Sequence, residues 1–170
     1  MTTEPDRCIV LGLGNTLNRD EGLGVHALHR LEEQLGEVQG VELLDGGVLG
    51  LNLLMLVEEC RWLLVLDAVN AGKEPGTLVE LTKEQIPLFA GVRMSEHQIT
   101  FQEVLGLASI RGRLPEYLHL IGIQPADLSI GVDLISTVAA ALPEVVTRAH
   151  LVLGNWGMVE PLGETNGSNS

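Results

Sequence analysis

Three short, largely apolar runs constrain this chain more than any other feature: Cys8–Leu13, residues 41–45 and residues 62–67. A strand that lacks the alternation of a half-wet strand must be covered on both faces, which is the situation of a parallel strand inside a layered sheet. The links between the runs are long enough to supply the crossovers that parallel strands require. From Gly24, Leu28, Leu31 and Leu35 recur at helical spacing, with His29, Arg30, Glu32 and Glu33 on the other side and Gly36 as the stop. Residues 49–59 are long enough for a second helix. The first part of the chain therefore reads as βαβαβ.

Beyond it, residues 76–82 alternate polar and apolar after a turn at 73–76, the pattern of an edge strand with one wetter face, expected to be antiparallel. Thr100 is placed to cap a helix running to Ile110, with Glu103 completing a capping box, and 117–123 reads as another strand. Two helices, 133–142 and 144–153, are expected to cover the rest. The fold class that follows is α/β: a three-layer α/β/α sandwich on a mostly parallel five-stranded sheet with one antiparallel edge strand. At 170 residues the chain suits one domain, expected over 1–162, with the polar residues 163–170 as a disordered tail.

Composition narrows the function. With 23 acidic and 10 basic residues the net charge is −13, which repels a phosphate backbone or an anionic membrane, and an aromatic fraction of 3% cannot line a base-stacking groove. Nucleic acid and membrane are excluded as expected partners, and a monomer is expected. No stretch approaches the roughly 20 apolar residues of a membrane span, and the acidic first residues do not resemble a secretory signal, so a cytoplasmic protein is expected. Cys8 and Cys60 stand singly beside apolar runs, without a C-x-x-C pairing, and read as small buried hydrophobes.

In an open α/β sheet ligands collect beyond the carboxyl ends of the strands. Three segments meet that rule: the glycine-bracketed loop from Gly12 to Gly24, which carries Asp20 and Glu21; Asp67, closing an apolar strand; and Ser95-Glu96-His97-Gln98, in the long link before the helix at Thr100. A dinucleotide reading of the first loop fails. Leu17 stands where the third glycine belongs, and two acids would face the pyrophosphate. Glu21, Asp67 and His97 form a mixed oxygen and nitrogen set of the kind that binds nickel, zinc or cadmium, and the carboxylates could orient or deprotonate a water. Spacing alone leaves a second reading open, in which Glu21 serves a helix dipole, Asp67 caps a turn and His97 is solvated. His26 and His29 read as a solvated helix face, His119 and His150 offer no better site, and Arg111 and Arg113 read as solvated loop residues.

Taken together, Gly12-Leu13-Gly14-Asn15, Asp20-Glu21-Gly22-Leu23-Gly24, Asp45-Gly46-Gly47, Asp67-Ala68, Ser95-Glu96-His97-Gln98 and Ile121-Gly122-Ile123-Gln124-Pro125 resemble the nickel-iron hydrogenase maturation endopeptidases, in order, from about Ile9 to Val146. The resemblance implies an endopeptidase, classed as aspartic-type, that cuts a carboxyl-terminal extension from the hydrogenase large-subunit precursor once nickel has been inserted. It implies that Glu21, Asp67 and His97 contact the metal; on the mechanism preferred from these residues, the nickel is carried by the precursor, and Asp20 and Asp45 are read as accessory carboxylates for hydrolysis. Peptidyl-tRNA hydrolase also opens on a Gly-Leu-Gly-Asn turn, but that family continues with Pro-Gly and a catalytic histidine near a basic groove, where this chain has Thr16-Leu17 and then Asp20-Glu21. A nonenzymatic nickel chaperone is the third reading; it would bind the precursor without shortening it.

Overall fold

The computed structural model describes residues 6–47, 53–86, 93–94 and 96–162; for 93–94 and 96–100 it describes the backbone only. The elements run β1 (Cys8–Leu13), α1 (Leu23–Leu35), β2 (Val41–Gly47), α2 (Leu53–Glu59), β3 (Trp62–Asn70), β4 (Leu78–Thr82), β5 (Arg93–Met94), α3 (Glu96–Ile110), β6 (Tyr117–Ile123) and α4 (Ser136–Asn155), with one-turn 3-10 helices at Arg19–Gly22 and Lys83–Gln85. The sheet is ordered β2-β1-β3-β6-β4. The β1–β2, β1–β3 and β3–β6 pairs are parallel, and β4 closes the edge antiparallel to β6. The two-residue β5 stands off this path, antiparallel to the end of β3, with Val69 opposite Met94 and Asn70 opposite Arg93. The runs Cys8–Leu13 and 62–67 thus become central strands, but the run at 41–45 becomes β2 at the edge, mostly half-buried because no described strand pairs with its outer side, and the alternating 76–82 segment becomes the half-wet edge opposite.

Period-2 geometry divides the strand residues between two cores. Cys8, Val10, Leu64, Leu66, Ile121 and Ile123 face α1 and α4, where Leu23, Leu28, Leu31, Val138, Val145 and Ala149 complete one layer. Ile9, Leu11, Leu63, Val65, Leu118 and Leu120 face the other way, against Leu53 and Val57 of α2 and Phe101, Val104, Leu105 and Ala108 of α3. The same sheet therefore supports two dry interfaces, and this is why β1 and β3 carry apolar side chains on consecutive residues. Cys8 and Cys60 belong to opposite cores, are free, and have thiols pushed up to about 12, chiefly by burial. No helix among the described residues is long and apolar enough to cross a membrane.

Two helix expectations are corrected. The segment read as two helices, 133–142 and 144–153, is one, Ser136–Asn155, with Pro143 in its interior. Proline removes one donor and clashes with the preceding turn, which ordinarily disrupts a helix. Here the buried stripe of Val138, Leu142, Val145, Val146, Ala149 and Val152 runs through it without a break, so packing on the sheet overrides the local cost. The second correction concerns α3, which begins at Glu96 and not at Thr100, so Thr100 lies inside the helix and its expected capping box is not a terminus. A complete capping box exists elsewhere, at Thr82 and Gln85, where β4 turns into the second 3-10 helix. The start of the 49–59 helix and the expected tail at 163–170 lie outside the described residues.

Candidate active site

The loop after β1 reaches the carboxyl edge of the sheet and turns back through the 3-10 helix Arg19–Gly22 into α1. Two glycines make this path possible. Gly14 has φ +115, and a β-carbon there would collide with the carbonyl oxygen of Glu21 and lie 3.6 Å from Asp67 Oδ1. A β-carbon on Gly24 would strike the carbonyls of Leu13 and Leu66, so the start of α1 sits directly on β1 and β3. The backbone of the first loop is thereby pressed against Asp67.

Asp67 is fully buried inside β3, which continues to Asn70. Its Oδ1 accepts the Ala68 N–H at 2.7 Å, while its Oδ2 is buried with no hydrogen-bond partner. Burial holds the carboxyl well above the ordinary carboxylate range; the Ala68 hydrogen bond works against this, and the negative charge of nearby Glu21 adds to it. Glu21 is itself buried, in the 3-10 turn. Two acids thus share a water-poor position at the end of the central strands. Such a pair favours either a retained proton or a cation that neutralises both.

The backbone brings a third element to this end of β3. Met94 pairs with Val69, two residues beyond Asp67, and α3 starts two residues after Met94, so His97 stands in the first turn of α3 and not in a loop. Among the described residues no three His, Cys, Asp or Glu side chains form a cluster able to hold a metal ion, and the His97 side chain lies outside them. The Asp67–Glu21 pair nevertheless fits a divalent cation on its own chemistry, since it sets two carboxylates together in one buried position, with Asp67 Oδ2 turned away from any donor among the described residues.

Asp20 and Asp45 occupy different situations. Asp20 is fully buried, and its carboxylate accepts three backbone N–H groups: Ala126 at 2.8 Å and Asp127 at 2.9 Å on Oδ2, and Ile135 at 2.8 Å on Oδ1. It ties the first loop to the segment following β6. Asp45 is exposed at the end of β2, where its Oδ1 accepts the Gly47 N–H at 2.8 Å in a tight turn.

Sequence reasoning left 126–132 unassigned and read 133–135 as the start of a helix, whereas α4 begins at Ser136. Asn18 bridges to Gly131, Arg19 N–H donates to the Gly131 carbonyl at 2.9 Å, and Gly131 N–H donates to the Leu17 carbonyl at 2.8 Å. It also missed the part played by Gln124. Gln124 is buried just after β6; its Oε1 accepts Ala71 N–H at 2.7 Å and Lys73 N–H at 3.2 Å, and its Nε2 donates to Asn70 Oδ1 at 3.1 Å, fixing the chain that leaves β3. The only signal for it was a polar residue, Gln124, placed directly after the apolar run 117–123. Two surface expectations are also corrected. His26 is half buried beside residues 132–134, and burial pushes its imidazole down. Arg111 is not merely solvated, because its Nε reaches Glu58 Oε1 at 2.6 Å and joins α3 to the end of α2.

A layered α/β sandwich with paired acids at the carboxyl edge of its central strands defines a class of site, and comparison with known proteins narrows it. The fold superposes on the hydrogenase maturating endopeptidase HybD from Escherichia coli with a TM-score of 0.80 and 32% identity, covering 89% of this chain and 94% of that one. It also superposes on the [NiFe] hydrogenase maturation protease HybD from Thermococcus kodakarensis with a TM-score of 0.69 and 28% identity, covering 86% and 98%. The hydrogenase maturation protease family profile HycI matches residues 25–151. In sequence, the chain is 41% identical over 164 residues to the hydrogenase expression/formation protein HupD of Rhodobacter capsulatus, covering 95% of this chain and 78% of HupD. It is 33% identical over 153 residues to the hydrogenase 2 maturation protease of Escherichia coli, covering 89% and 93%. The chain belongs to the hydrogenase maturation protease family.

Proposed function

We propose that this protein is the endopeptidase that removes the carboxyl-terminal extension of a nickel-iron hydrogenase large-subunit precursor after nickel insertion, acting in the cytoplasm. Family membership favours this reading over a peptidyl-tRNA hydrolase or a passive nickel chaperone. The observation that carries the site assignment is the buried, unpartnered Oδ2 of Asp67 beside Glu21. A buried carboxylate held without a partner is costly, and it is best understood as a group awaiting one.

In this reading Glu21, Asp67 and His97 engage the nickel that the precursor carries, so the ion is part of the substrate. Engagement fixes the scissile bond next to a carboxylate, and that carboxylate deprotonates the attacking water. Asp20, with three backbone donors on its two oxygens, holds the loop that presents Glu21, and Asp45 remains an accessory carboxylate at the rim.

The test is incubation of the purified protein with nickel-loaded precursor, weighing the product. We expect loss of one carboxyl-terminal peptide with the wild type and no shortening with Glu21→Gln or His97→Ala, each retaining a native circular-dichroism spectrum. Binding without any shortening by the wild type would refute the endopeptidase reading.

A further inference from the structure

Large apolar side chains are held outward on the two loops that border the Glu21 turn. Ile130 is 86% exposed, Val132 64% and Leu17 62%, and Leu128 is exposed beside them. They form one patch because the backbones are stitched together: Asn18 bridges Gly131 in parallel register, which sets Leu17 beside Ile130 and Arg19 beside Val132. The hydrogen bonds between Gly131, Leu17 and Arg19, together with Asn18 Nδ2 to the Leu128 carbonyl at 3.3 Å, lock this arrangement from both sides. Asp20 anchors it from beneath through Ala126, Asp127 and Ile135. The apolar groups cannot relax into either core, and a restrained apolar ridge in water is the physical signature of a surface built to be covered. By contrast, among the described residues the comparably exposed Met55 and Ile110 stand on α2 and at the far end of α3.

We propose that this ridge is a docking surface for an apolar segment of the precursor adjoining the bond to be cut. The proposal deepens the endopeptidase reading and rests on it. Two observations choose the occupant. The ridge is continuous with the site, since Leu17 precedes Glu21 by four residues of one loop and the opposite loop is pinned to Asp20, the neighbour of Glu21. The charge around it also selects. Asp127 in the same loop is paired with Arg19 at 3.8 Å, so among the described residues the uncompensated charge at the ridge is the exposed Asp133 bordering Val132; with the chain at −13, an acidic segment is repelled while an apolar one, best with a basic neighbour, is accepted. Nothing in this requires the ion, so the ridge adds recognition of the peptide to recognition of the metal.

The experiment measures kcat and KM on nickel-loaded precursor for the wild type, Ile130→Asp, Val132→Asp and Leu17→Asp, with Ile110→Asp as the distant control. Affinity for immobilised precursor is measured in parallel, and thermal melts establish folding. Ile130→Ser serves as a milder second variant should any aspartate fail to fold. We expect KM to rise and affinity to fall at least tenfold in the ridge variants, with kcat within twofold of wild type and Ile110→Asp unchanged. Ridge variants with KM and affinity within twofold of wild type would overturn the proposal while leaving the endopeptidase reading intact. A wild type that cleaves nothing would remove the reading beneath it, and the affinity arm would still decide whether the ridge binds precursor. Concentration-dependent dimers abolished by Ile130→Asp, with precursor affinity unaltered, would assign the ridge to a second copy of this chain and overturn the proposal.

Discussion

Burying a carboxylate with one oxygen unpaired costs roughly 1–3 kcal/mol or more, so Asp67 works against the stability of the fold that holds it. The sign of its titration makes this testable. Because its folded-state proton affinity is raised, the folded state keeps the proton to higher pH than the unfolded chain does. The stability associated with the protonated form is therefore fully present below the ordinary aspartate value of about 3.9 and is lost as pH rises toward the folded value. Asp67→Asn removes that dependence. We expect the variant to lose processing by about a hundredfold or more, the usual weight of losing a group that positions the substrate. It should melt at or above the wild-type temperature at pH 7, with the gap shrinking as pH falls toward 4. A variant that melts well below the wild type at pH 7 would show that Asp67 is a structural residue. At this scale the sequence was legible for residue identity and less so for environment. Asp67 and Glu21 stood at a predicted strand end and helix start, where ligands gather, whereas the burial of Asp67 and the three donors on Asp20 depend on residues more than 40 and more than 100 positions away.

Among the elements, β4 joins the two sides of the edge. Glu80 receives Arg148 from α4, at 2.8 Å as an ion pair, and His119 from β6 at 2.7 Å. Burial raises the Glu80 carboxyl, but hydrogen bonds from Arg148 and His119 and their charges outweigh it and hold the carboxyl below its ordinary range. A depressed acid contributes stability above the unfolded value, about 4.3, and loses it as pH falls through the folded one. Urea midpoints measured from pH 7 to pH 3 should therefore fall less steeply for Glu80→Gln than for the wild type; parallel curves would show the cluster to be energetically silent. The helices show where local patterns stop informing. β1, β3 and β6 were legible because a strand covered on both faces leaves a dense apolar run. The continuity of α4 through Pro143 was not, since a proline reads locally as a stop and only the buried stripe on both sides of it argues otherwise. The start of α3 was misplaced for the converse reason: Thr100 and Glu103 have the form of a cap, yet the backbone pairing of β5 with β3 sets the helix four residues earlier.

For the molecule as a whole, the layered fold puts the proposed contacts to the ion and to the peptide at one edge of one sheet. The two acids and the His97 turn lie at the end of β3, and the apolar ridge lies beside them. If the ion supplies the positioning energy, a precursor with an intact cleavage sequence but no nickel should be cut at least tenfold more slowly than the loaded one by the same enzyme. Equal rates, followed by the mass of the released peptide, would favour an enzyme that reads peptide alone. The ties on Asp20 carry a further consequence, for the order in which the protein can come into being. Its three donors arrive 106, 107 and 115 residues later in the chain. Closures of that length contribute slowly to folding and are missing from any shorter nascent chain. During vectorial synthesis β1, α1 and β3 can assemble early, but the turn bearing Glu21 lacks its full set of ties to the 126–135 segment until residue 135 has left the ribosome. The carboxylate pair thus reaches its final setting only after most of the sheet has formed.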